Sequence, residues 1–323
     1  MTLSSLFAPG LAHANCPGAF EDKVCDPLGT DICTYTGSGT STTLECSVAG
    51  AGSASTIIAV SDFETGDDEV EVWGDYGGTV FCCDMDMNNT YNVTLYGSDY
   101  GDTLQFTYDS NANNLAPIAT YSPGDMIGTI YGGDGADTIR GSNVGAGGSY
   151  DFDEFLYGED QPDHIYGNGA ADYISGGGYR DFLYGGIGAD TIDGDLGDDT
   201  INGGLGGDTI SGGAGDDIIL GDAGDDTIDG DGGEDQISGG DDNDTIDGGG
   251  DADVICGDSG DEDTISDGDL VAESSPDQIW DEDASTSTLI CADSSTNWGA
   301  STTTDVTGCI SANKIVARPT DCP

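Results

Sequence analysis

Residues 158–256 repeat with a period of nine and no break. Eleven units run from GEDQPDHIY to GGGDADVIC, and every one begins with Gly and carries Asp at its sixth place. The eighth place is Ile in ten units and Leu183 in the other. A fixed short period leaves few folds open. A unit of this size cannot bury its own apolar residue, so successive units must stack and share a core. Glycine at the first place, and often at the second and fourth, permits positive φ and close backbone approach. The last three residues, as in Thr191-Ile192-Asp193, point outward, inward and outward in turn, as in a short strand. Two units per coil would give a flattened coil with two parallel sheets, each contributing one column of aliphatic side chains.

The same window holds 26 acidic residues and one basic residue, Arg180. Stacking brings carboxylates into rows, and carboxylates held together cannot all stay ionised without a compensating cation. Calcium suits this chemistry: a hard ion that takes roughly six to eight oxygens, from carboxylates and backbone carbonyls alike. Without a cation, an acidic glycine-rich tract stays unfolded, so binding free energy becomes folding free energy.

The unit resembles the RTX calcium-binding repeat, GGxGxDxUx, in which U is a large aliphatic residue. The resemblance implies an all-β fold, a right-handed parallel β-roll solenoid, in which loop carbonyls and the sixth-place Asp of stacked turns grip calcium. Carried onto this chain, the ligands on one edge are Asp163, Asp181, Asp199, Asp217, Asp235 and Asp253. On the other edge they are Asp172, Asp190, Asp208, Asp226 and Asp244. Asp137 holds the same place in an earlier full match, GGDGADTIR, at 132–140. Eleven loops, each paired with the loop two units on, give 11 − 2 = 9 sites, or roughly nine ions. Five loops lack the fourth-place Gly and carry Gln161, Ala170, Tyr179, Asp242 or Asp251 instead, which leaves their carbonyl geometry open. The chain departs from most RTX proteins, which leave the cell unfolded by type I secretion and hold few cysteines.

It has ten cysteines, a content that fits disulfides and an oxidising compartment. Residues 1–14 read either as a truncated signal peptide, with Ala12-His13-Ala14 as its cleavage site, or as a disordered N-terminus. Residues 15–60, with Cys16, Cys25, Cys33 and Cys46, form an expected N-terminal cap. Residues 61–131 are either degenerate solenoid turns, matched at 63–71 and 97–105, or a small β domain. The roll is expected over 132–280, interrupted by an insert at 141–148 and by Glu154 in place of Asp. Residues 281–323 form the C-terminal cap, with Cys291, Cys309 and Cys322. Six cysteines precede residue 84 and four lie from Cys256 onward, so disulfides are expected to tie each cap within itself.

Alternate units fall on opposite sheets. One outer face shows Thr191, Thr209, Thr227 and Thr245 beside Asp193, Ser211, Asp229 and Asp247. The other shows Tyr166, Phe182, Tyr184, Ile218, Leu220, Val254 and Cys256, an apolar set covered either by the chain itself or by an extracellular polysaccharide or protein. Five basic residues against 63 acidic ones exclude nucleic acid as a partner. No apolar run approaches the roughly 20 residues of a membrane span, so no direct membrane insertion is expected. With only His13 and His164, and no H-E-x-x-H or G-x-S-x-G, the common hydrolase signatures are absent. The expectation is a secreted calcium-binding protein, extracellular or at the cell surface, with calcium-dependent folding and a structural or adhesive role. The rival is a carbohydrate-active or other secreted enzyme built on the solenoid, where paired carboxylates would act.

Overall fold

A computed structural model of the chain describes residues 126–142 and 153–259, the strands outside those spans, and a few residues beside them. The expected signal segment, residues 143–152 (most of the insert and the start of the unit after it) and Cys16, Cys25, Cys291, Cys309 and Cys322 lie outside the described residues. Among the described residues every element is a strand.

The strands form two sheets of 13. One stacks Cys33–Gly37, Ser41–Ser47, Thr90–Tyr96, Met126–Asp134, Glu154–Asp160, Tyr173–Gly178 and Thr191–Leu196, then every second unit to Asp305–Thr307. The other runs from Asn297–Ala300 back through Phe182–Ile187, His164–Gly169, Thr138–Arg140, Thr103–Tyr108 and Thr56–Asp62 to the hairpin Glu69–Tyr76 and Thr79–Asp86. Pairing is parallel throughout the repeats: Ile174 aligns with Ile192, and Leu183 with Ile201. One coil is therefore two units. Antiparallel pairs occur only at the N-terminal end, among the described strands.

The eighth-place residues make the core. Ile174, Ile192, Ile210, Ile228 and Ile246 form one column, and Leu183, Ile201, Ile219, Ile237 and Ile255 the other, all at most 1% exposed. The second column begins at Ile165 in the first strict unit, and both continue upstream of the strict repeats, through Leu156, Ile130 and Leu95 on one sheet and Ile139 and Leu104 on the other. The sequence match at 63–71 departs from this pattern. Its Val70 lies in Glu69–Tyr76, which runs antiparallel to Thr56–Asp62 and belongs to the terminal hairpin.

The three glycine places have different causes. At the first place, φ is ordinary and space decides. A Cβ on Gly206, at the fourth place, would lie 1.4 Å from the carbonyl oxygen of Gly188 one coil back. Six fourth-place glycines span φ from 136° at Gly224 to 155° at Gly188. The five loops without that glycine take another route, with φ from 74° at Ala170 to 82° at Gln161, in the left-handed region that side chains can reach. Second places have positive φ in all eleven units, whether Gly or not.

Where the second place is Asp, the side chain is anchored to the preceding coil. Ser175 Oγ donates to Asp195 Oδ2 at 2.6 Å, Asn202 Nδ2 to Asp222 at 2.7 Å and Ser211 Oγ to Asp231 at 2.5 Å. Ser238 donates to Asp258 in the same way. Where the residue twenty earlier is Tyr166, Tyr184 or Leu220, the second place is Gly.

The outer faces carry aromatic rows. Tyr166 stacks on Tyr184 at 5.2 Å and His164 on Phe182 at 4.7 Å. The threonine-bearing sheet is also aromatic at its upstream end, where Tyr96, Tyr131 and Tyr157 stack at 5.1 and 4.9 Å. Cys256 does not face solvent as its ninth place suggested. It is 0% exposed and Ser238, one coil back, is 6% exposed, so the chain covers its own outer face there. Tyr184 and Ile218 remain 38% and 37% exposed.

The columns set the expected energetics. Ile219→Ala is expected to cost about 2–5 kcal/mol by chemical denaturation in saturating calcium, and Thr209→Ala no more than about 0.5 kcal/mol. Equal losses would contradict the core assignment.

Candidate metal centre

The sixth-place carboxylates lie along the two edges of the coil, under the loops. Asp137, Asp163, Asp172, Asp181, Asp190, Asp199, Asp208, Asp217, Asp226, Asp235, Asp244 and Asp253 are all between 0% and 3% exposed. Their burial follows from the strand pattern: the sixth place precedes an outward seventh and points, like the eighth, toward the interior.

One oxygen of each is fixed by backbone. On one edge, the Asp163 N–H donates to Asp181 Oδ1 at 2.7 Å, Asp181 to Asp199 at 2.7 Å and Asp199 to Asp217 at 2.7 Å. The row continues through Asp235 to Asp253, and upstream Asp137 donates to Asp163. On the other edge, Asp172 donates to Asp190, Asp190 to Asp208, Asp208 to Asp226 and Asp226 to Asp244, at 2.7 to 3.0 Å. The chain thus brings all twelve sequence-predicted aspartates into two rows. Three further carboxylates join them: Asp102 through its N–H to Asp137, Glu154 through its N–H to Asp172, and Asp263 by accepting from Asp244. These three are not among the sequence-predicted ligands, although Asp102 holds the sixth place of the match at 97–105 and Glu154 that of the imperfect unit before the run. Asp263 follows a one-residue insertion, Glu154 follows the longer insert, and Asp102 lies upstream of the unbroken run.

In ten of the twelve aspartates the other oxygen is left without a hydrogen bond. Oδ2 of Asp137, Asp163, Asp181, Asp190, Asp199, Asp208, Asp217, Asp226, Asp235 and Asp244 is buried and unpartnered, as is Oε2 of Glu154. These oxygens point at the first-place glycine of their own unit. A Cβ on Gly203 would sit 2.4 Å from Asp208 Oδ2 and 3.0 Å from the Gly221 carbonyl oxygen. A Cβ on Gly158 would sit 2.4 Å from Asp163 Oδ2 and 2.3 Å from the Gly176 carbonyl oxygen. From Gly132 to Gly230, each first-place glycine therefore leaves room where a carboxylate and a carbonyl from the next coil converge.

Among the described residues no counter-charge lies there. Of the two basic residues between 126 and 259, Arg140 lies over the Tyr166 ring at 4.8 Å and Arg180 pairs with Asp198 at 3.0 Å on the surface. Burial is consequently the main influence on the carboxyls. It pushes Asp163, Asp217 and Asp244 up to about 8, and Asp137, Asp181, Asp226 and Asp235 to about 7. Asp190 and Asp199 rise to about 6. The backbone N–H bonds pull the other way, and neighbouring carboxylates push further up. Burial and the adjacent Asp172 also raise Glu154.

No three His, Cys, Asp or Glu side chains gather at one point among the described residues. A cation held here must therefore take much of its coordination from backbone carbonyls, which the glycine loops present. That donor set, all oxygen and part anionic, suits a hard divalent ion and not a thiophilic one.

The family model of the RTX calcium-binding nonapeptide repeat matches residues 124–143 and, in overlapping copies, 149–178, 166–201, 175–210, 202–237 and 229–261. Residues 124–261 carry RTX calcium-binding nonapeptide repeats. No curated protein matches the chain. The two parallel sheets of stacked strands are consistent with a β-roll.

The raised carboxyls make the metal-free roll sensitive to pH. Each holds its proton more tightly folded than unfolded, so the folded chain binds more protons above the ordinary value of 3.8. Stability without calcium is therefore fully present at low pH and lost as pH rises through about 6 to 8. Circular dichroism in chelator is expected to show sheet near about pH 5 and its loss across that window. Excess calcium should abolish the dependence; a chelated chain whose sheet signal grows with pH would contradict it.

Proposed function

We propose that this chain is a secreted calcium-binding β-roll protein whose folding is gated by calcium, with a structural or adhesive role outside the cell or at its surface. The observation that carries this reading is the pair of buried carboxylate rows, in which ten of the twelve aspartates turn an oxygen without a hydrogen bond toward a glycine loop. The side-chain ligands in this reading are Asp137, Asp163, Asp172, Asp181, Asp190, Asp199, Asp208, Asp217, Asp226, Asp235, Asp244 and Asp253. Carbonyls such as those of Gly176 and Gly221 supply further oxygens. Roughly nine ions would load the unbroken block. Calcium supplies the positive charge that lets the rows stay ionised inside the fold. A compartment poor in calcium leaves the chain unfolded and self-repelling, and one rich in calcium folds it.

The ends serve the roll in this reading. Caps at 15–60 and 281–323 close the columns, tied by disulfides within each end, and Cys46 and Cys256 both being disulfide-bonded supports this. The half-exposed Tyr184 and Ile218 leave part of the apolar face for a partner, an extracellular polysaccharide or protein. No residue is given a catalytic role.

Two measurements test the reading. Asp208→Ala is expected to raise the calcium midpoint of folding by roughly tenfold, and the outward Asp193→Ala by no more than about twofold. Equal shifts would remove the sixth-place row from the ligand set. Mass mapping of the disulfides is expected to find no bond between a cysteine before residue 84 and one from Cys256 onward; such a bond would sink the two-cap arrangement.

A further inference from the structure

The insert that interrupts the repeats leads into an imperfect unit whose sixth place is Glu154, which is 1% exposed. Gly141 opens this loop in the first place of a unit, and its N–H donates to the Tyr166 carbonyl at 2.7 Å. The next carboxyl in the row comes thirteen residues later instead of five, and it is Glu instead of Asp. Its backbone still obeys the row, donating to Asp172 Oδ1 at 2.8 Å. Its side chain does not. Oε1 accepts the Ser142 N–H at 3.0 Å, within its own loop, where the regular aspartates accept from the coil before. The longer side chain thereby pins the neck of the insert.

Oε2 is buried and unpartnered. A Cβ on Gly141 would sit 2.9 Å from it and 2.3 Å from the Gly167 carbonyl oxygen. The regular loops show the same convergence, as at Gly158 with Asp163 and Gly176. Eight extra residues have therefore been accommodated without losing the arrangement of one carboxylate oxygen and one carbonyl against a first-place glycine.

We infer that Glu154 closes a further divalent-cation site at the neck of the insert, outside the GGxGxD loops, with the Gly167 carbonyl and the adjacent Asp172 as its neighbours in the row. The inference rests on the reading of the regular rows as calcium ligands. Its consequence is that the insert is clamped to the roll by an ion, and the row on that edge passes through it unbroken.

Native mass spectrometry of the full chain with calcium counts bound ions in whole numbers. Glu154→Gln removes the charge and keeps the shape. It is expected to bind one calcium fewer than the unsubstituted chain at saturation, with its sheet signal in calcium retained. A Glu154→Gln chain that folds and binds the full number with an unchanged midpoint overturns the inference and leaves the regular sites standing. An unsubstituted chain that binds no calcium overturns the inference together with the proposed function. Should Glu154→Gln fail to fold in calcium, Glu154→Asp decides: restored folding with the full count supports a need for the carboxylate, and failure to fold overturns it.

Discussion

Burying rows of like charges is the constraint on which the rest of this molecule depends. Sixth-place carboxylates at 0–3% exposure, stacked one per coil along both edges, are unfavourable as anions in the absence of a cation. Backbone N–H groups stabilise one oxygen of each, and this fixes where the second oxygen points. The glycine at the first place then becomes obligatory, because any side chain there would occupy the space between carboxylate and carbonyl. The hydrophobic columns cannot substitute for this arrangement. They are one residue wide, and a thin core of that kind leaves the electrostatics to decide whether the coil forms.

The same constraint explains which variations the repeat tolerates. The fourth place accepts Gln161, Tyr179 or Asp251 because a left-handed loop near φ 80° is an alternative to the wider conformation that only glycine reaches. The second place accepts Asp where Ser or Asn twenty residues earlier can hold it, as with Ser175 and Asp195. The sixth place accepts Glu154 where the loop is long enough to fold back on the extra methylene.

Much of this was legible in the sequence. A period of nine with aliphatic residues at the eighth place requires a stack, the resemblance to the RTX repeat implies two units per coil, and the columns through Ile192 and Ile201 follow from the two together. The aspartates of the rows could be named individually, because every unit presents the same residue at the same offset. Coupling across coils was harder to see. The link from Ser175 to Asp195 spans two units and two residues, an offset no nonapeptide pattern displays. The match at 63–71 misled because a single D-x-V resembles a repeat end, whereas a coil needs its partner unit too, and that stretch pairs as a hairpin instead. Cys256 occupies an outward place by alternation, yet it is buried, which strand periodicity alone does not reveal.

The most direct measurement is circular dichroism of the full chain titrated with calcium at neutral pH. The account predicts a weak sheet signal in excess chelator that rises cooperatively to saturation as calcium is added. A full sheet signal that persists undiminished in excess chelator at neutral pH would contradict it.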